Sequence, residues 1–194
     1  MLKRCSMVVW PAFLAGILSG LSGCPKKGGV DVAAARESAG PWRSAYVDFF
    51  DDQFDFKPLV AVDSDEPFAR KAMDRLERRI ALSDVIVVAK VVNVGEMANQ
   101  QGDIRRGLVV EVSRLLKGTK SKLPDPEQIS LYMAQDQPEF SPQDVMGNEV
   151  LLFLRWLPAK ASDPYHWHLN LSNPQLLGVV EGALARAKGK PASR

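Results

Sequence analysis

The hydrophobic period changes once along this chain, and that change limits the folds open to it. From Val85 to Val94 the residues are mostly β-branched, and Asp84 precedes them. A polar stretch, Asn99-Gln100-Gln101-Gly102-Asp103, reads as a turn. A second strand alternates after it: Leu108, Val110 and Val112 share one face, Glu111 and Ser113 the other. This strand runs to Leu115-Leu116-Lys117-Gly118. Thr119–Glu127 reads as a Lys/Pro-rich loop. Ile129, Leu131 and Met133 mark a third strand. Residues 134–148, with Pro138 and Pro142, read as a longer loop. Val150, Leu152, Leu154 and Trp156 mark a fourth strand, and Tyr165, Trp167, Leu169 and Leu171 a fifth.

The flanks have helical spacing. Trp42, Tyr46, Phe49 and Phe50 fall at i, i+4, i+7 and i+8, behind Pro41 at a first helical position. Asp48, Asp51, Asp52 and Asp55 share the opposite face of that predicted helix. They read as a solvated acidic face, and their spacing is not that of an EF-hand calcium loop. A second helix is predicted from about Glu66 to Ile80, capped by Asp65, with a basic outer face that includes Arg70, Lys71, Arg75, Arg78 and Arg79. Asn173 is placed to cap a last helix that has Pro174 at its first position. The order is helix, helix, five strands, helix. It predicts an α+β fold: a five-stranded antiparallel OB-like sheet or barrel flanked by two N-terminal helices and one C-terminal helix.

The N-terminus carries a separate signal. Lys3 and Arg4 precede an apolar run from Met7 to Leu18, and small residues follow. The run is short for a membrane-spanning helix and is interrupted by Pro11 and Gly16. Leu21-Ser22-Gly23-Cys24 then resembles the lipobox of bacterial lipoproteins. The resemblance implies a diacylglycerol on the Cys24 thiol, removal of residues 1–23, and acylation (palmitate, for example) of the new N-terminus. Several acyl chains anchor durably, where a single one binds only marginally. Pro25 and Lys26 follow Cys24, without the Asp that often retains lipoproteins at the inner membrane. The expectation is an outer-membrane lipoprotein facing the periplasm.

The predicted organisation is a signal peptide at 1–23, a lipidated flexible tether at 24–40, one α+β domain at 41–188 and a frayed tail at 189–194. A random coil the length of the tether spans roughly 20–25 Å.

The barrel segment carries a second resemblance, in Ser83–Val91, Val112–Gly118 and Gly147–Leu154. It is similar to netrin-like domains and tissue inhibitors of metalloproteinases, which implies an OB-type fold and a protease-inhibitor-like module. Those inhibitors use disulfides and a free N-terminal cysteine. Cys5 and Cys24 are the two cysteines of this chain. Cys5 would leave with the signal peptide and Cys24 would be blocked by lipid.

The 194 residues hold 25 Lys and Arg against 23 Asp and Glu. Both basic residues of the first 23 positions would leave with that segment, so the mature chain has no bulk attraction for nucleic acid. No Gly-x-Ser-x-Gly elbow, phosphate-binding glycine loop or His-Glu-x-x-His helix occurs. The two histidines, His166 and His168, lie at i and i+2 on the fifth strand and share a face. They could supply two ligands to zinc or copper, with a carboxylate such as Asp144 or Glu149 needed to complete a set. The alternative is a pair of imidazoles on an exposed strand face. No catalytic residue and no cofactor is predicted. The expected function is a non-catalytic, membrane-anchored binding or structural module. Its partner would be an envelope protein, peptidoglycan or a small ligand, met through the two Pro-containing loops. A metal-binding protein or enzyme centred on His166 and His168 is the competing expectation.

Overall fold

A computed structural model of the chain describes residues 32–56, 67–98, 102–134, 140–158, 161 and 163–189. The signal peptide, Cys24, Asp65 and residues 190–194 lie outside them. The elements are α1 (Val32–Glu37), β1 (Gln53–Asp55), α2 (Pro67–Leu82), β2 (Val85–Ala98), β3 (Ile104–Lys117), β4 (Gln128–Tyr132), α3 (Pro142–Val145), β5 (Glu149–Trp156), β6 (Tyr165–Leu171) and α4 (Pro174–Gly189). Among the described residues no helix is long and apolar enough to cross a membrane.

The fold is α+β, with a six-stranded open sheet in the order β1-β6-β5-β2-β3-β4. It differs in detail from the five-stranded antiparallel OB-like sheet or barrel expected, having a sixth strand and an open edge. The sheet is mixed because β1 runs parallel to β6, pairing Gln53 with His168 and Asp55 with Asn170. The other pairings are antiparallel.

Strand β1 also replaces the first predicted helix. Residues 41–56 hold only a 3-10 turn at Ser44–Tyr46 before the chain becomes extended. The reason lies in Phe50 and Phe54, four residues apart. Phe50 is buried with the helix-side cluster, Phe54 with the cluster on the opposite face of the sheet. Residues i and i+4 of a helix point the same way, so a helix would send both rings to one face and could not deliver them to the two clusters; the left-handed backbone of Asp52 between them does. Each buried ring contributes about 1.5–3 kcal/mol, against a few tenths of a kcal/mol per residue of helix propensity.

Val85–Ala89 of β2 and Val150–Leu154 of β5 are unbroken buried apolar runs because helices cover the second face of the sheet there. Val85, Val87, Leu152 and Leu154 enter one cluster with residues of β3, β4 and β6. Ile86, Val88, Leu151 and Phe153 enter the other, against Leu76 and Ile80 of α2 and Leu176 and Val180 of α4. Asn173 Oδ1 accepts the Leu176 N–H at 2.8 Å and caps α4.

The end of the segment expected to be tether is folded. Within α1, Ala35 is buried, and Arg36 donates to the carbonyls of Pro158 and Ala161 at 3.0 and 2.6 Å. A cationic side chain that satisfies two carbonyls at the far end of β5 fixes these residues to the body. The two predicted loops also carry structure: a 3-10 turn at Lys120–Lys122 with Leu123 buried behind it, and α3 with Val145 buried.

Candidate functional site

The two histidines lie on the helix-side face of β6, His168 beside Arg79 of α2 and His166 against Trp42. In β6, Tyr165, Trp167 and Leu169 face the β4 side, so His166, His168 and Asn170 face the helices. The expectation of an exposed histidine face is overturned for His168, which is 4% exposed. That face is covered because α2 packs over it and Arg79, also 4% exposed, is buried there with it.

Each imidazole meets a carboxylate from the turn before β1. His166 Nδ1 lies 2.5 Å from Asp52 Oδ2, and His168 Nδ1 lies 2.7 Å from Asp51 Oδ1. The partners are neither Asp144, which lies in α3, nor Glu149, whose Oε1 accepts from the Ser172 hydroxyl. Asp52 has φ +54, a left-handed conformation that Asp tolerates better than most residues. Its backbone N–H donates to Trp167 O at 2.9 Å, and its Oδ1 accepts the Trp167 N–H at 2.9 Å. One residue thus ties the start of β1 to β6 through backbone and side chain together.

Arg79 extends the network. Its Nε donates to Phe49 O at 2.8 Å, one terminal nitrogen donates to Asn170 Oδ1 at 3.3 Å, and its guanidinium lies over the Phe153 ring. Arg75, half-exposed, reaches Asp51 Oδ2 at 3.4 Å and also donates to Asp48 O.

Burial decides the charges. It pushes the His168 imidazole down to about 4, helped by the positive charge of Arg79 and opposed by Asp51. His168 is therefore neutral at pH 7, and its Nδ1–H donates to Asp51. Burial also raises the Asp51 carboxyl, but the His168 hydrogen bond and the His168 and Arg79 charges outweigh it and hold the group below its usual value. Burial lowers Arg79 to about 9, with the charge of Asp51 opposing, so it stays cationic at pH 7. For His166, burial acts downward, but the hydrogen bond and charge of Asp52 win and its pKa is raised. Burial dominates at Asp52 and raises it, with His166 pulling the other way.

The two carboxylate–imidazole pairs and Arg79 form one polar network that joins the turn before β1 to β6 and α2. Both Nδ1 atoms are taken by carboxylates, and neither imidazole hydrogen-bonds a hydroxyl or thiol among the described residues. His166 is also stacked against Trp42, centroids 4.8 Å apart. Among the described residues no group of three or more His, Cys, Asp or Glu side chains is placed to hold a metal ion.

The more open feature is a cleft of about 370 Å³ on the other side of the sheet, where β6 curls back toward β4. Its walls include Ile129, Ser130 and Tyr132 of β4, Trp156 of β5, and Tyr165 and Trp167 of β6. Three side chains span toward the strand β4 region: Tyr165 Oη donates to Ser130 O at 2.8 Å, Trp167 Nε1 to Tyr132 O at 3.2 Å, and Trp156 Nε1 to Lys122 O at 2.9 Å. Burial raises the Tyr165 hydroxyl pKa, so it remains a donor. The rim holds Pro124 and Asp125 from the first predicted loop and Ala134 from the start of the second.

The sequence reading missed Asp51, Asp52 and Arg79 as partners of the histidines. The one usable signal was the paired spacing, two adjacent aspartates and two histidines in tandem, and it becomes readable only once residues 50–55 are known to be extended. No family model matches the chain, and no curated protein matches it in sequence.

Proposed function

We propose that this protein is a lipid-anchored lipoprotein of the cell envelope and acts as a non-catalytic binding module, with the cleft between β4 and β6 as its binding site. The lipobox Leu21-Ser22-Gly23-Cys24 supports the anchor. The observation that carries the binding reading is the cleft: a concave site with tryptophan and tyrosine walls and a few polar groups is the usual form of a ligand site. The strand order β4-β3-β2-β5-β6, with Tyr165 and Trp167 reaching back to β4, supports an OB-like barrel interrupted at this seam. In such folds recognition falls on one strand face and the adjoining loops.

Two measurements test this. Mass spectrometry of the membrane-extracted protein should show loss of residues 1–23 and added acyl mass, and Cys24→Ser should release the chain from membranes. A photo-reactive residue at Gln128, on the cleft, should crosslink an envelope component in intact cells, whereas the same residue at Glu181 of α4 should not. Retention of residues 1–23 overturns the anchor. Equal crosslinking from both positions overturns the cleft as the site.

A further inference from the structure

We infer that the cleft takes an extended, basic peptide segment of a protein partner, added as a strand along the free edge of β4. This rests on the reading of the chain as a binding module and names the ligand class.

Strand β4 is a sheet edge: among the described residues it pairs only with β3. Met133 N–H donates to Arg106 O and Val112 N–H to Glu127 O. In this antiparallel register, the bonded positions of β4 are therefore Glu127, Ile129, Leu131 and Met133. Gln128, Ser130 and Tyr132 turn their backbone groups away from β3, toward the cleft. The carbonyls of Ser130 and Tyr132 accept from Tyr165 and Trp167. The Ser130 and Tyr132 N–H groups have no partner among the described residues.

The facing strand is in the same condition. Leu157 N–H donates to Pro164 O, so Tyr165 turns its N–H and C=O away from β5. Neither group has a partner among the described residues. Tyr165 crosses to β4 with the whole length of its side chain, whereas a ladder neighbour would sit about 4.8 Å away. Two strand edges thus face one another across a seam with unused donors on both. Unpaired edges recruit strands, and main-chain hydrogen bonding to an extended peptide is the chemistry they offer. The Ser130 and Tyr132 carbonyls each keep a second lone pair for a peptide N–H.

Charge selects among peptides. Among the described residues the cleft is lined by Asp125 and Asp163 against one cation, Arg105, which itself lies 4.0 Å from Asp103, while the carboxylate of Asp52, also at the wall, is taken by His166 and the Trp167 N–H. A segment bearing lysine or arginine complements this wall, and an acidic one is repelled.

The test uses the full processed lipoprotein in detergent micelles. The probes are a heptapeptide of alternating valine and lysine and its valine–glutamate counterpart. The lysine peptide should bind and slow amide exchange at Ser130, Tyr132 and Tyr165 by tenfold or more. Ser130→Pro removes one cleft-facing N–H and leaves the β3 ladder intact, which an edge strand tolerates. It should weaken binding at least tenfold, with exchange in β2 and β5 unchanged. Asp125→Asn with Asp163→Asn should weaken it similarly at low salt. Equal binding of the glutamate peptide, binding without amide protection, or protection of these amides before any peptide is added (a site filled by residues 24–31) would each overturn the inference. If no lysine peptide binds while crosslinking from Gln128 persists, this inference falls and the binding-module reading stands. Loss of the Gln128 crosslink removes both.

Discussion

His168 and Asp51 lie 117 positions apart in the chain and 2.7 Å apart in the fold, and burial keeps the imidazole neutral against the carboxylate. The unfolded chain protonates His168 near 6.5, whereas the folded chain does so only near 4. Between those values the unfolded state binds more protons, so stability falls as pH falls. The loss is about 3 kcal/mol across the window. Urea midpoints measured from pH 7 to pH 4.5 should decline, and His168→Gln should flatten the decline. An unchanged slope in His168→Gln would refute the assignment. Asp51 acts in a separate range: its lowered pKa adds stability above 3.8, lost at more acidic pH.

His166 has the opposite sign. Its folded pKa is raised, so its contribution is complete below 6.5 and is lost as pH rises through the folded value. Asp52→Asn keeps an acceptor for the Trp167 N–H and tolerates the left-handed backbone, but removes the charge. Burial then acts with less opposition. An NMR titration should find the His166 pKa in Asp52→Asn below that of the native protein and below 6.5. A His166 pKa that stays above 6.5 in the variant would show that Asp52 is not what holds it up.

Arg79→Met should cost about 3–5 kcal/mol, because it leaves the Asp51 carboxylate and the Asn170 and Phe49 oxygens without their buried cation. Arg79→Met combined with Asp51→Asn should cost less than the sum of the two single changes. Denaturant unfolding of the four proteins measures the coupling, and additive costs would remove the link between Arg79 and Asp51.

Two glycine substitutions should move stability in opposite directions. Gly118 has φ +96, and a Cβ there would stand 2.8 Å from Asp84 O, so Gly118→Ala should destabilise by about 1–3 kcal/mol. Gly178 lies within α4, and a Cβ there meets nothing within 4 Å, so Gly178→Ala should stabilise by about 0.5–1 kcal/mol. Thermal melts of the two variants check both signs.

Much of the fold was legible in local pattern. Strands β2 to β6, α2 and α4 follow from periods of 2 and 3.6 and from breakers such as Gly118 and Pro174, because each of these segments buries a face its own sequence spells out. The pairing of β2 with β5, giving both strands a second covered face, is consistent with their unbroken apolar runs.

The chain's own sequence therefore determined the α+β class, the lengths of most elements and the tandem histidines on one strand face. Tertiary structure alone decided the rest. Phe50 and Phe54 suit helical spacing locally, and only the presence of two cores on opposite sides of one sheet draws residues 53–55 into a strand parallel to β6. Asp51, Asp52 and Arg79 look like ordinary solvated charges in sequence. They become partners of His166, His168 and Asn170 because the packing of α2 excludes water from that face, and buried charge must find its complement. The cleft follows the same logic, since whether an edge strand is paired or free depends on which strand arrives beside it.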